Sequence, residues 1–331
     1  MTVFKLERKI KANRIPHGKD ILNKDTPEAM FDIGALFIHD QHIFKLMDTF
    51  KKKHDCQLPI KSVFGCYGVR WTGGRTTMTN MARTWAHNGW TPESIIWEYN
   101  SRGIGCTFTF SNHLLKEEHL DDPSSNYLLD LLGKQINELN TVTVASDMLS
   151  DYIRKKYPNL KQKASIVKHT TGMPKRRTFE YYDSLFDKYD LIYLHPDDNL
   201  NLNLLKKIAA SGKVDKYINL INERCTWNCQ IRNTHYDEIA QAQLDGWHGM
   251  FNFSSVDLVH HPSHPKTVCP RVLKPELRNT VLSRGEFKRV YDYGFRNFKL
   301  QGRDTPVAAL MYNFSTYMLE QDFIAERLFA Y

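Results

Sequence analysis

The chain has 331 residues, enough for one large domain or two of medium size. Apolar residues make up 41% and charged residues 25%, which excludes a disordered, collagen-like or disulfide-scaffold protein. The excess of 45 basic over 37 acidic residues, a formal net charge of +8, favours anionic partners, although no long basic tail is present.

No run approaches the ~18 uninterrupted apolar residues of a membrane helix, so no membrane partner is expected. The opening MTVFKLERKIKANRIPHGKD lacks the apolar core of a secretory signal. Six cysteines in a chain of this length suit reduced thiols or metal ligands better than a disulfide framework. The expected compartment is the cytoplasm.

In chain order, short β-rich runs at 35–39, 62–67, 105–110, 141–146, 164–168, 191–194, 216–221 and 298–300 alternate with amphipathic stretches. Thr91-Pro92-Glu93 opens a helix with a cap and a first-turn proline, and Gly103 closes it. Apolar spacing predicts a helix over 126–139, a second over 283–293 stopped by Gly294, and continuous helix over 307–328. Eight strand–helix units predict a single TIM-barrel-like (β/α)8 domain over 1–331. The connection between Glu223 and Asn297 is too long for one crossover and predicts an insertion at about 233–282, before the last strand. A doubly wound open sheet is the competing architecture.

In a parallel barrel, chemistry sits where the strands end. The residues there are Cys66 and Tyr67, Asn112, Ser146 and Asp147, His169, His195 and Asp197, Asn222 and Glu223, and Lys299 with Arg303. So many polar groups at strand ends point to an enzyme.

The sharpest local feature is Asn222-Glu223-Arg224-Cys225-Thr226-Trp227-Asn228-Cys229, directly after a predicted strand. Two thiols four residues apart on a strand-end loop can turn towards one metal centre. Cys269 lies downstream, and Cys66 ends the second strand on the same face; Cys106 is an alternative fourth ligand. Four thiolates are what a [4Fe–4S] cluster requires. A radical-SAM arrangement does not fit, because Arg232 occupies the third position of its CxxxCxxC pattern. Zinc on Cys225, Cys229 and Cys269 with His235, His261 or His264 is a second possibility, and buried packing cysteines are a third.

The segment Ser283-Arg284-Gly285-Glu286-Phe287 through Tyr291-Asp292-Tyr293-Gly294 to Lys299-Leu300-Gln301-Gly302-Arg303 resembles a pattern of the collagenase-like peptidase superfamily. In that pattern a helix ends at glycine and a strand then delivers Lys-x-x-Gly-Arg, downstream of cluster cysteines. Besides named peptidases, the superfamily includes prephenate-dependent RNA hydroxylases and oxygen-independent ubiquinone hydroxylation proteins with a four-cysteine cluster. By this resemblance Cys225, Cys229, Cys269 and Cys66 are metal ligands and Lys299 and Arg303 bind an anionic substrate, a small molecule or RNA. The Gly-Ser/Ala-x-Cys peptidase context is absent, and the likeness covers about the last third of the chain.

Around this core, Trp71-Thr72-Gly73-Gly74-Arg75 offers backbone amides and Arg75 to an anion. Glu223 and His235 are the candidate catalytic proton carriers. Asp197 and Asp198 read either as carboxylates of the site or as a helix cap, and Tyr181, Tyr182, Trp71 and Trp227 either as stacking platforms or as core. The expected function is an iron–sulfur modifying enzyme, with oxygen-independent hydroxylation as its reaction. The alternatives are a zinc-dependent or metal-free barrel hydrolase or lyase, and a non-catalytic nucleic-acid-binding protein.

Overall fold

The computed structural model describes residues 18–73, 89–134, 138–171, 177–246, 276–302 and 306–323. Eight strands form a closed parallel barrel in sequence order: β1 (Met30–Gly34), β2 (Ile60–Gly65), β3 (Gly105–Phe110), β4 (Thr141–Val144), β5 (Lys161–Ala164), β6 (Leu191–Leu194), β7 (Tyr217–Leu220) and β8 (Asn297–Leu300). β8 pairs back onto β1, which sets Asp32 beside Lys299 and leaves the sheet without an edge. The expected (β/α)8 class is therefore the one observed, and the open doubly wound sheet is not.

Helices intervene: α1 (Asp40–His54), α2 (Pro92–Ser101), α3 (Pro123–Gly133), α4 (Asp147–Lys156), α5 (Ile166–Thr171), α6 (Phe179–Ser184), α7 (Leu202–Ala210), α8 (Arg232–Leu244), α9 (Arg284–Asp292) and α10 (Val307–Met318). Two start where the sequence signals them. The Thr91 hydroxyl accepts from Ser94 N at the head of α2, and Ser283 forms a capping box with Glu286 at the head of α9. Gly294, at φ 98°, ends the α9 turn in a conformation that favours glycine.

Three expectations move. The run at 35–39 is the turn after β1, where Phe37 takes φ 68°; the strand is Met30–Gly34. The fifth strand is Lys161–Ala164 rather than 164–168, whose latter part opens α5. In both cases the true strand carries a charge that enters the barrel, so an apolar-run reading passes over it. The C-terminal helix stops at Met318, because Leu319 leaves it to bridge Leu22. α8 falls within the span expected as an insertion, and residues 247–275 of that span lie outside the described residues.

Inside the barrel, charge replaces the usual aliphatic filling. Lys163 Nζ meets Asp32 Oδ2 at 2.7 Å, Tyr193 Oη donates to the same oxygen at 2.8 Å, and Ser62 Oγ donates to Oδ1 at 2.6 Å. Burial alone would raise the Asp32 carboxyl, but the Lys163 charge and these hydrogen bonds hold it below the usual range. No described helix is long and apolar enough to cross a membrane.

Candidate functional site

The loop after β7 is pinned before it turns. Asn222 exchanges hydrogen bonds with Gln301 at the end of β8, at 2.7 and 2.9 Å. Glu223 Oε1 accepts from Cys225 N at 3.1 Å, while its backbone oxygen accepts from the Thr280 hydroxyl at 2.8 Å. Trp227 N donates to Arg278 O and Thr280 N to Cys225 O, so the returning strand-like segment braces the loop. Asn228 then takes φ 51°, the left-handed turn that brings Cys229 back against Cys225.

The two thiols are hydrogen-bonded, and they are not equivalent. The Cys229 hydrogen bond, with the Arg232 guanidinium, outweighs burial and the Glu223 charge and lowers the Cys225 thiol to about 6. Cys229 keeps its proton to donate and is pushed up. Cys225 is therefore the more acidic thiol of the pair.

Arg232, the first residue of α8, organises this pair. Its Nε donates to Cys225 Sγ at 3.3 Å, and its two Nη groups reach Asp197 Oδ2 and Oδ1 at 3.0 and 3.1 Å. Nη2 also donates to Thr226 O at 2.9 Å, and Nη1 to His195 Nε2 at 2.8 Å. Burial, and then the Arg232 charge, hold the His195 imidazole well below its ordinary range, so it is neutral. His195 Nδ1 accepts from Asp197 N at 3.2 Å and stands 3.5 Å from Asp197 Oδ2.

α8 runs on across the mouth. Asn112, after β3, donates to Ala240 O at 3.0 Å, Thr72, after β2, to Gln243 at 3.3 Å, and His113 meets Asp237 at 2.7 Å. The helix also packs on α5. Contact on several sides explains why its sequence, RNTHYDEIAQAQL, shows no single apolar stripe.

The expected site residues separate into three groups. Cys225, Cys229 and Glu223 stand together at the end of β7. Lys299 is close by in another sense: it points into the lumen, its Nζ 4.0 Å from the ring centroids of both Phe64 and Tyr193, rather than lying at a surface turn. His235 lies on α8 three residues beyond Arg232, whose guanidinium donates to Cys225 Sγ. Cys66 directly follows β2 in the core, only 1% exposed. Cys106 alternates with lumen-facing Thr107 and so faces the helices, where burial and then Asp40 push its thiol far up; that suits a core cysteine. Among the described residues no three His, Cys, Asp or Glu side chains group closely enough to hold a metal ion. Arg75, Cys269, His261, His264 and Arg303 lie outside the described residues.

For Trp71 and Tyr182 the core reading holds. Trp71 is fully buried with Nε1 on His119 O at 2.7 Å, and Tyr182 is fully buried with its hydroxyl on Asp198. Asp198, held by Arg177 and Tyr182, is structural. The residue that sequence reasoning missed is Arg232. Its signal was present as an arginine three positions after the second cysteine, at the start of a helix.

No family model matches the chain, and no curated protein matches it. Among solved structures, one described as a U32 peptidase is similar, at 14% identity over 83% of this chain and 92% of that chain, with a TM-score of 0.49.

Proposed function

We propose that this chain is a barrel enzyme that holds a thiolate-bound iron–sulfur cluster on the Cys225 loop and modifies an anionic substrate at the mouth. The observation that carries the reading is the sulfur pair: two adjacent thiols at a strand end, one of them lowered to about 6. Soft metals are ligated by thiolate, and a site that deprotonates a cysteine before metal arrives is suited to them. Cys225 and Cys229 fit this donor chemistry. The remaining ligands expected from the sequence are Cys269 and Cys66, of which Cys66 lies in the core and does not group with the pair.

Bound there, a cluster would supply one-electron chemistry at the mouth. The chain's own residues have separate tasks. Glu223 fixes the loop by accepting the Cys225 N–H, and Arg232 holds the sulfur. Lys299 presents an ammonium in the lumen below, as an anchor for carboxylate or phosphate. Glu223 and His235 are the groups assigned to proton movement. The reaction class, carried by resemblance, is oxygen-independent hydroxylation or a related modification of RNA or a small anion.

Purification without oxygen, followed by iron, sulfide and zinc analysis and a visible spectrum, tests this. About four irons and four sulfides per chain, lost in Cys225→Ser with the fold retained, are expected. Zinc alone moves the reading to a zinc-thiolate hydrolase or lyase. Metal-free protein overturns it and favours a second reading, Cys225 as a covalent nucleophile. That alternative draws on the absence of a third grouped donor among the described residues.

A further inference from the structure

We infer that the N-terminal end of the barrel carries a second anion site, opposite the Cys225 loop, where Lys61 takes the dianionic head of a phosphate monoester. The site is independent of the cysteine loop and of any metal there. A cavity of about 650 Å³ opens among the first residues of β2, β5 and β6 and the approach to β7. Barrels commonly use this face for stability alone.

Lys61 is delivered by an irregularity in β2. Phe31 pairs with Ile60 but Asp32 with Ser62, so Lys61 is an extra residue in the β1–β2 ladder, and it is the exposed position of its strand. Its Nζ donates at 2.8 Å to Asn297 Oδ1 on β8. Asn297 is itself buried, and its Nδ2 donates to Asp215 O at 2.6 Å, which fixes the amide with its oxygen towards the lysine. A neutral amide thus holds the ammonium where a carboxylate would neutralise it.

The charges of the lining do not cancel locally. Asp32 is taken by Lys163 at 2.7 Å, Asp190 by Arg154 at 2.8 Å, and Glu138 stands 3.9 Å from Lys161. With those pairs set aside, two ammoniums, Lys61 and Lys216, face one carboxylate, Asp215. Among the described residues neither lysine forms an ion pair; Lys216 Nζ lies 5.7 Å from the Phe186 ring centroid instead. Loss of hydration lowers the Lys61 ammonium; Asp32 and Asp215 oppose that shift, and Lys163 and Lys161 add to it. A phosphate dianion supplies the missing negative charge, and lysine serves phosphate as a point charge. The cavity is larger than inorganic phosphate requires, and Ile60, Leu191 and Phe186 give an organic remainder an apolar wall.

Isothermal titration of the full chain with inorganic phosphate and with phenyl phosphate, at constant ionic strength, tests this. We expect both to bind, the ester more tightly, and Lys61→Met to weaken each about tenfold, as loss of one contact to a charged group requires. Asn297→Asp sets a carboxylate against Lys61 and should abolish binding while the melting temperature is kept; it decides alone if Lys61→Met does not fold. Binding of inorganic phosphate without the ester overturns the assignment to a monoester, and binding of neither overturns the site. Binding that is lost in Lys299→Met but unchanged in Lys61→Met puts the anion at the mouth and overturns it as well.

Discussion

Asp32 of β1 and Lys163 of β5 meet across the barrel interior, Oδ2 to Nζ at 2.7 Å, with less than 5% of either side chain exposed. The pair shares its carboxylate with Tyr193, whose ring centroid lies 4.0 Å from Lys299 Nζ. The barrel interior at this level is therefore held by charge rather than by aliphatic packing.

Breaking this pair from one side leaves a buried charge without compensation. Lys163→Met should lower stability by about 3–5 kcal/mol, and Asp32→Asn combined with Lys163→Met should recover much of that. Because the folded Asp32 carboxyl is depressed, its contribution is present above the unfolded value of about 3.9 and is lost as pH falls through the folded one. Urea titrations between pH 2 and 7 check both points; a double variant with the wild-type acid profile would contradict the second.

Asp40 has the opposite sign. Burial raises its carboxyl to about 7 despite the 2.9 Å hydrogen bond from Tyr99 Oη. Between about 4 and 7 the folded state binds the extra proton, so stability falls as pH rises and the full penalty applies above 7. Asp40→Asn should stabilise the protein at pH 8, on the order of 2 kcal/mol, and have little effect at pH 4. Thermal melts at the two pH values measure the difference.

In metal-free protein, iodoacetamide should modify Cys225 first, with a rate that rises through about pH 6 and levels above 7. Cys106, whose thiol is buried and pushed up, should stay unmodified on that timescale. Peptide mapping by mass spectrometry reads the order of labelling, and Cys225→Ser should remove the fast phase.

Asn228 at φ 51° makes the turn that returns Cys229 to Cys225. Asn228→Gly should retain the pair, whereas Asn228→Val should strain the loop by about 1–2 kcal/mol and separate the sulfurs. The readout is metal content together with the pH at which Cys225 labelling is half-maximal. In the valine variant that midpoint should move up towards an ordinary thiol.

Much of the frame is legible in the sequence. Strand–helix alternation marked eight units, Thr91 and Ser283 marked two helix starts, and the spacing of Cys225 and Cys229 marked the loop. The errors share a cause. β1 and β5 were displaced because Asp32 and Lys163, charged residues at lumen positions, interrupt the apolar pattern by which buried strands are recognised. α8 falls within the span read as an insertion, and a helix contacted on several sides has no one-sided stripe to mark it in the sequence.

What the sequence by itself determined is therefore local: period, caps, turns and the two thiols on one strand-end loop, all of which depend on neighbours a few residues apart. Only the tertiary structure decided that Asp32 and Lys163, 131 positions apart, would neutralise each other inside the barrel. It alone decided that Arg232 would find Asp197, 35 positions away, and turn its remaining N–H towards Cys225. Closing the barrel brings these groups into a volume without water, where an ionised side chain is stable only beside its partner, and no spacing along the chain records which partner that is.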